Sequence, residues 1–140
     1  MEAKATLRGM ATVSYGAEDV KEARKWYSEL LGIEPYFQKP DAENPAYIEY
    51  RIGDYQHELG IIDKKYMPKA AKEGPGGAIL YWHTDDIQKT MEQLLSMGAK
   101  EFEPITKRGE GFMTAAVIDP FGNVLGIMYN RHYLDYLKSK

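Results

Sequence analysis

The sequence predicts an α+β protein of two tandem βαβββ modules. Three observations carry this. Two amphipathic helical stripes follow strand-like segments, with capping aspartates, Asp19 and Asp86, 67 residues apart. The last strand of each half repeats one tripeptide, Leu59-Gly60-Ile61 and Leu125-Gly126-Ile127, at an offset of 66. Two unrelated landmarks sharing nearly one offset indicate duplication. Between the halves, Lys64–Gly77 is polar and ends in Gly-Pro-Gly-Gly, as a joint would.

The first helix begins at Asp19. Val20, Ala23, Trp26, Tyr27, Leu30 and Leu31 fall at helical spacing. Asp19 and Glu22 have capping-box spacing, and Gly32 suits a left-handed exit. In the second helix, Asp86 or Asp85 caps, Ile87, Met91, Leu94 and Leu95 form the stripe, and Gly98 closes it. The leading strands are Met10–Gly16 and Ala78–Thr84. The later strands are Ile33–Lys39, Ala46–Ile52 and His57–Asp63, then Lys100–Thr106, Phe112–Ile118 and Asn123–Asn130. The whole of 1–140 is thus expected to be one domain: module one over about 8–63, linker 64–77, module two 78–130, and a tail 131–140. That tail could form a short helix through Tyr133, Leu134, Tyr136 and Leu137.

Composition sets bounds on partners. The chain is 44% hydrophobic and 28% charged with a formal net charge of −3, and its cations are scattered among acids. Neither nucleic acid nor an anionic membrane is expected as a partner. Without cysteine there is no thiolate nucleophile, disulfide or cysteine-type zinc site. MEAKATLRGM has no apolar run, so no signal peptide is expected, and a cytoplasmic setting fits.

These residues resemble a known family. Asp19…Trp26-Tyr27…Leu31-Gly32 is similar to the first-helix signature of the vicinal-oxygen-chelate superfamily, which includes glyoxalase I, bleomycin-resistance proteins and extradiol dioxygenases. Asp119-Pro120-Phe121-Gly122-Asn123 resembles its DP-x-GN turn before the last strand, and Gly98-Ala99-Lys100 also fits. The resemblance implies that the two modules form curved mixed sheets around a cleft with the helices packed outside, and that in active members the cleft holds a divalent metal on His, Gln or Glu from the first and last strands of both modules. The matching positions here are Thr12, Gly60, Ile79 and Gly126. One hydroxyl, one alkyl group and two glycines are not a normal donor set for zinc, iron, nickel or manganese. The expectation is therefore no metal and no cofactor, and a small organic ligand held in an aromatic cleft, in a homodimer by analogy.

Alternation along strands gives the candidate contacts. Thr12 and Ser14 face the cleft while Val13 and Tyr15 face the helix. Ile79, Tyr81 and His83 face it in module two, while Leu80 and Trp82 pack beneath the helix. Glu58 shares a face with Gly60. Thr12, Ser14, Glu58, Tyr81 and His83 are the expected ligand-binding residues. Tyr47, Glu49 and Arg51 share a face that points to cleft or solvent, and Met113, Ala115 and Val117 offer one candidate wall. Trp26 and Trp82 read as core; His57 and His132 read as surface.

Three other readings stay open on the sequence. One is a metal-dependent lyase, isomerase or dioxygenase built on a shifted ligand set from Glu58 and His83. Another is a metal-free enzyme with Glu58 or His83 as general base. The last is a dimerising module whose cleft is filled by its own side chains. No nucleophilic triad and no phosphate-cradling glycine loop is visible.

Overall fold

The computed structural model describes residue 8, residues 10–68 and residues 78–140. It divides into two units, Met1–Met67 and Pro68–Lys140. Most of the expected linker, residues 69–77, lies outside the described residues.

Module one runs β1 (Thr12–Ala17), α1 (Val20–Leu31), β2 (Phe37–Lys39), β3 (Tyr47–Ile52) and β4 (His57–Asp63). Its open sheet has the order β1-β4-β3-β2, with β1 parallel to β4 and the other pairs antiparallel. Helix α1 starts where Asp19 accepts a hydrogen bond from the Glu22 N–H at 3.2 Å, satisfying one of the four free donors of a first turn. It stops at Gly32, whose φ of 71° lets its N–H turn back to the Ser28 carbonyl. The buried stripe is Val20, Ala23 and Tyr27, facing Tyr15, Ile48, Tyr50, Leu59 and Ile61. Tyr50 fixes which side of the sheet the helix covers. Its hydroxyl meets Ser28 Oγ at 2.9 Å and donates to the Arg24 carbonyl at 3.1 Å, both on α1.

Module two repeats the order: β5 (Tyr81–His83), α2 (Ile87–Ser96), β6 (Lys100–Gly109), β7 (Phe112–Ile118) and β8 (Val124–Asn130). Its sheet is β5-β8-β7-β6, again with the first and last strands parallel. Asp86 is the cap, accepting from the Lys89 N–H at 3.0 Å. The tail forms α3 (Arg131–Lys138), capped by Asn130. The turn before β8 is held by Asp119, 3% exposed, which accepts from the N–H groups of Phe121 and Asn123 and from the Asn123 side-chain amide.

Several details differ from the sequence reading. The strand expected over Ile33–Lys39 is only Phe37–Lys39, and the one expected over Ala78–Thr84 is only Tyr81–His83, so Ile79 precedes the strand. Leu95 is 42% exposed, because a position one residue past Leu94 turns about 100° off the stripe. Trp26 and Trp82 are half-buried; in module one the fully buried rings are Tyr27 and Tyr50, with Trp26 edge-on to Tyr27 at 4.8 Å. Ala115 and Val117 pair with Ile127 and Leu125 and are buried in module two's core, so with Met113 they lie on the sheet face opposite Tyr81 and Gly126. The run FMTAAVI has no polar alternation to set its phase: Thr114 and Ala116, on the other face, are buried too.

Candidate functional site

The side of module one's sheet away from α1 is polar and aromatic. Parallel pairing sets Thr12 beside Glu58 and Ser14 beside Gly60. Antiparallel pairing sets Arg51 beside Glu58 and Glu49 beside Gly60 and Phe37. Because side chains alternate, all of these share one face.

Glu58 is the hub. The Thr12 hydroxyl donates to its Oε1 at 2.8 Å, and the Arg51 guanidinium reaches its Oε2 at 3.0 Å. Arg51 also lies over the Tyr36 ring, 5.1 Å from its centroid. Glu49 has its own partners: Tyr47 donates to Oε1 at 2.5 Å and Tyr36 donates to Oε2. The two carboxyl groups are diagonal neighbours on this face. Tyr36 and Phe37 rim the cluster at 52% and 44% exposure, so aromatic surface is open beside the polar groups.

This environment pushes the two acids apart. Glu58 is held below the ordinary glutamate value, first by the Thr12 hydrogen bond and then, against some desolvation, by Arg51. Glu49 is raised, first by burial and then by the negative charge of Glu58. Burial followed by the charge of Glu58 raises the Tyr47 phenol as well.

The signs give a prediction. A carboxyl raised by folding favours the folded state only below its unfolded value, and that contribution is lost as pH rises through the folded value. Ionised Glu49 therefore opposes folding at neutral pH. Glu58 behaves oppositely: its contribution is present above its unfolded value and lost as pH falls through the folded one. Glu49→Gln keeps a carbonyl acceptor for one phenol and removes the charge facing Glu58. It is expected to raise Tm by about 1–3 °C at pH 7, with the gain vanishing on acidification below the glutamate range. A thermal melt at pH 7 and at pH 3.5 checks both arms, and a gain of the same size at both values would sink the assignment.

Module two places Tyr81 against Gly126, and Ala116 shares their face. His83 is engaged on every side. Its Nε2 bonds Asp85 at 3.0 Å, its Nδ1 accepts the Asn130 N–H at 3.2 Å, and its ring stacks on Tyr133 of α3 at 4.7 Å. With its side chain 8% exposed, His83 joins the end of β5 to the entry of α2 and the start of α3. His57 and His132 are exposed.

The structure therefore brings Thr12, Ser14 and Glu58 onto one face in module one and puts Tyr81 and His83 in module two. Tyr36 was not singled out from the sequence, and Tyr47, Glu49 and Arg51 were named only as a face pointing to cleft or solvent. The signal for Glu49 and Arg51 was the period-2 pattern Tyr47-x-Glu49-x-Arg51, whose direction needed the strand pairing.

The fold family implies a divalent metal, and the donor set can be tested against it. Among the described residues no three His, Asp or Glu side chains group as metal ligands. At the family's positions, Thr12 spends its hydroxyl hydrogen on Glu58, Ile79 has no donor, and Gly60 and Gly126 each lie against a tyrosine ring. The shifted pair does no better. Both oxygens of Glu58 and both ring nitrogens of His83 already have partners. These residues do not fit a family-type metal centre.

Comparison with known proteins agrees with the architecture. The chain is similar in fold to a glyoxalase-related enzyme from Fulvimarina pelagi, with a TM-score of 0.67, 22% identity, and 89% of this chain and 90% of that one covered. It is similar to a bleomycin resistance determinant encoded on the transposon Tn5, with a TM-score of 0.59 and 22% identity over 87% and 98% of the two chains. Lactoylglutathione lyase from Agrobacterium tumefaciens aligns with a TM-score of 0.66 at 14% identity over 91% and 98%. No curated protein is matched by sequence. The model of one protein family matches residues 9–127, nearly the full span of both modules. The chain belongs to the Glyoxalase/Bleomycin resistance protein/Dioxygenase superfamily.

Proposed function

We propose that this chain binds a small organic molecule without using a family-type metal, with the polar face of module one as a principal contact. The observation that carries the reading is the Thr12–Glu58–Arg51 set interlocked with Glu49, Tyr47 and Tyr36 beside open aromatic surface. It offers hydroxyl, guanidinium and carboxyl groups in fixed positions together with apolar area, the usual make-up of a small-molecule site. Thr12, Ser14 and Glu58 are the proposed contacts in module one, and Tyr81 and His83 those in module two. Binding draws on about 25 cal/mol per Å² of apolar area removed from water, less the cost of association. A homodimer is part of the proposal and is checked by light scattering.

The test is a thermal-shift screen of aromatic and polar organic compounds, run with and without chelator. A true ligand at about 100 times its Kd adds about 2.7 kcal/mol to stability. That shift is expected to persist in chelator and to shrink in Glu58→Gln and Thr12→Val. A shift seen only with added divalent metal, at about one metal per chain, would overturn the metal-free reading and favour a metal-dependent lyase, isomerase or dioxygenase.

A further inference from the structure

Gly60 and Gly126 stand where the family's last-strand ligands would be, yet neither has the positive φ that favours glycine. Among the described residues the glycines with positive φ are Gly32, Gly53, Gly98, Gly111 and Gly122. Gly60 and Gly126 each have a tyrosine ring against them, whereas Gly16, also crowded, faces the flexible side chain of Met67. A Cβ at Gly60 would sit 2.5 Å from the Tyr47 hydroxyl oxygen and 2.8 Å from the ring carbon Cε1. One at Gly126 would sit 2.7 Å from the Tyr81 ring carbon Cδ1 and 2.9 Å from the Leu80 carbonyl oxygen. The two tyrosines come from different strands of their modules, Tyr47 from β3 and Tyr81 from β5. The same arrangement thus arises twice by different routes.

We infer that Tyr47 and Tyr81 each occupy, within their own module, the space through which a last-strand metal ligand would project; at position 60 the ring is what requires glycine, and at position 126 the ring and the Leu80 carbonyl require it together. Tyr47 and Tyr81 are on this account the residues that close the two last-strand ligand positions. A glutamate placed at position 60 alone would meet a ring rather than open space. Converting the module to a ligand-bearing one takes two changes, at the glycine and at the tyrosine.

Tyr47 cannot swing aside freely. Its hydroxyl is tied to Glu49 at 2.5 Å, and its ring meets Phe37 edge-on at 6.3 Å. Making room for a Cβ breaks at least the first of these. In module two the Leu80 carbonyl would still crowd a Cβ after the ring is removed, so module one gives the clean test.

The inference does not rest on the ligand-binding proposal, and its test uses no ligand. Gly60→Ala is made in the full chain with Tyr47 intact and again in a Tyr47→Ala background, and the four melting temperatures are compared. With Tyr47 present the alanine is expected to lower Tm by about 3 °C or more. In the Tyr47→Ala background it is expected to be neutral or slightly stabilising, as Gly→Ala is where the backbone accepts it. Failure to fold confined to the Tyr47 background counts with the first result. Equal effects in both backgrounds, whether losses or none, overturn the inference.

Discussion

Asp119→Ala is expected to destabilise the protein by about 3–5 kcal/mol, since hydrogen bonds to a charged group contribute about 1.5–3 kcal/mol and orphaned buried donors cost more. Asp119 is 3% exposed, and its carboxylate closes the turn between β7 and β8 together with the backbone bonds from Asp119 N–H to the Asn123 carbonyl and from Gly122 N–H to the Asp119 carbonyl. Its Oδ1 accepts from the Phe121 N–H at 2.9 Å and the Asn123 N–H at 2.8 Å, while its Oδ2 accepts from the Asn123 amide at 2.9 Å. Removing it takes an acceptor away from two backbone N–H groups and an amide at the entry to β8, the central strand beside β5. Gly126 and Ile127 follow within one strand length, so the damage reaches the sheet face that carries Tyr81. Asp119→Asn keeps one carbonyl acceptor and is expected to lose about half as much. Urea unfolding of both variants checks the order, and an alanine variant as stable as the parent would show that the turn is held by other means.

Tyr27→Ala is expected to cost a similar amount, about 3–5 kcal/mol, the range for deleting a buried aromatic ring. Tyr27 is fully buried, tilted against Tyr15 at 5.8 Å and edge-on to Trp26 at 4.8 Å. It is the largest α1 side chain packed on module one's sheet, so its loss leaves a cavity between helix and strands. Tyr15 sits on β1, the strand that also carries Thr12 and Ser14 on its other face. The variant is therefore expected to lower ligand-induced thermal shifts along with Tm, whereas Tyr27→Phe should keep most of both. Urea denaturation with amide exchange on β1 tests this. Loss of stability with β1 protection unchanged would separate the core from the face behind it.

The sequence by itself determined the elements and their order. Val20, Ala23 and Tyr27, and again Ile87, Met91 and Leu94, marked the buried helix faces, because spacing of three and four residues is a local property. Asp19, Asp86 and Gly32 marked helix ends, because capping acts over three or four residues. Asp119-Pro-Phe-Gly-Asn marked its turn for the same reason, and the repeated Leu-Gly-Ile announced two equivalent last strands, each parallel to its module's first. Thr12 and Glu58 were each named from alternation within a single strand.

What only the tertiary structure decided depends on pairing between residues distant in the chain. That Thr12 bonds Glu58, 46 positions away, follows from the β1–β4 register, which no local rule sets. The direction of the Tyr47-x-Glu49-x-Arg51 face, the phase of Phe112–Ile118 and the engagement of His83 with α3 were settled the same way. The tyrosine rings on Gly60 and Gly126 show the limit most plainly. A glycine in a sequence records that something needs the space, and only the packed neighbour shows what takes it.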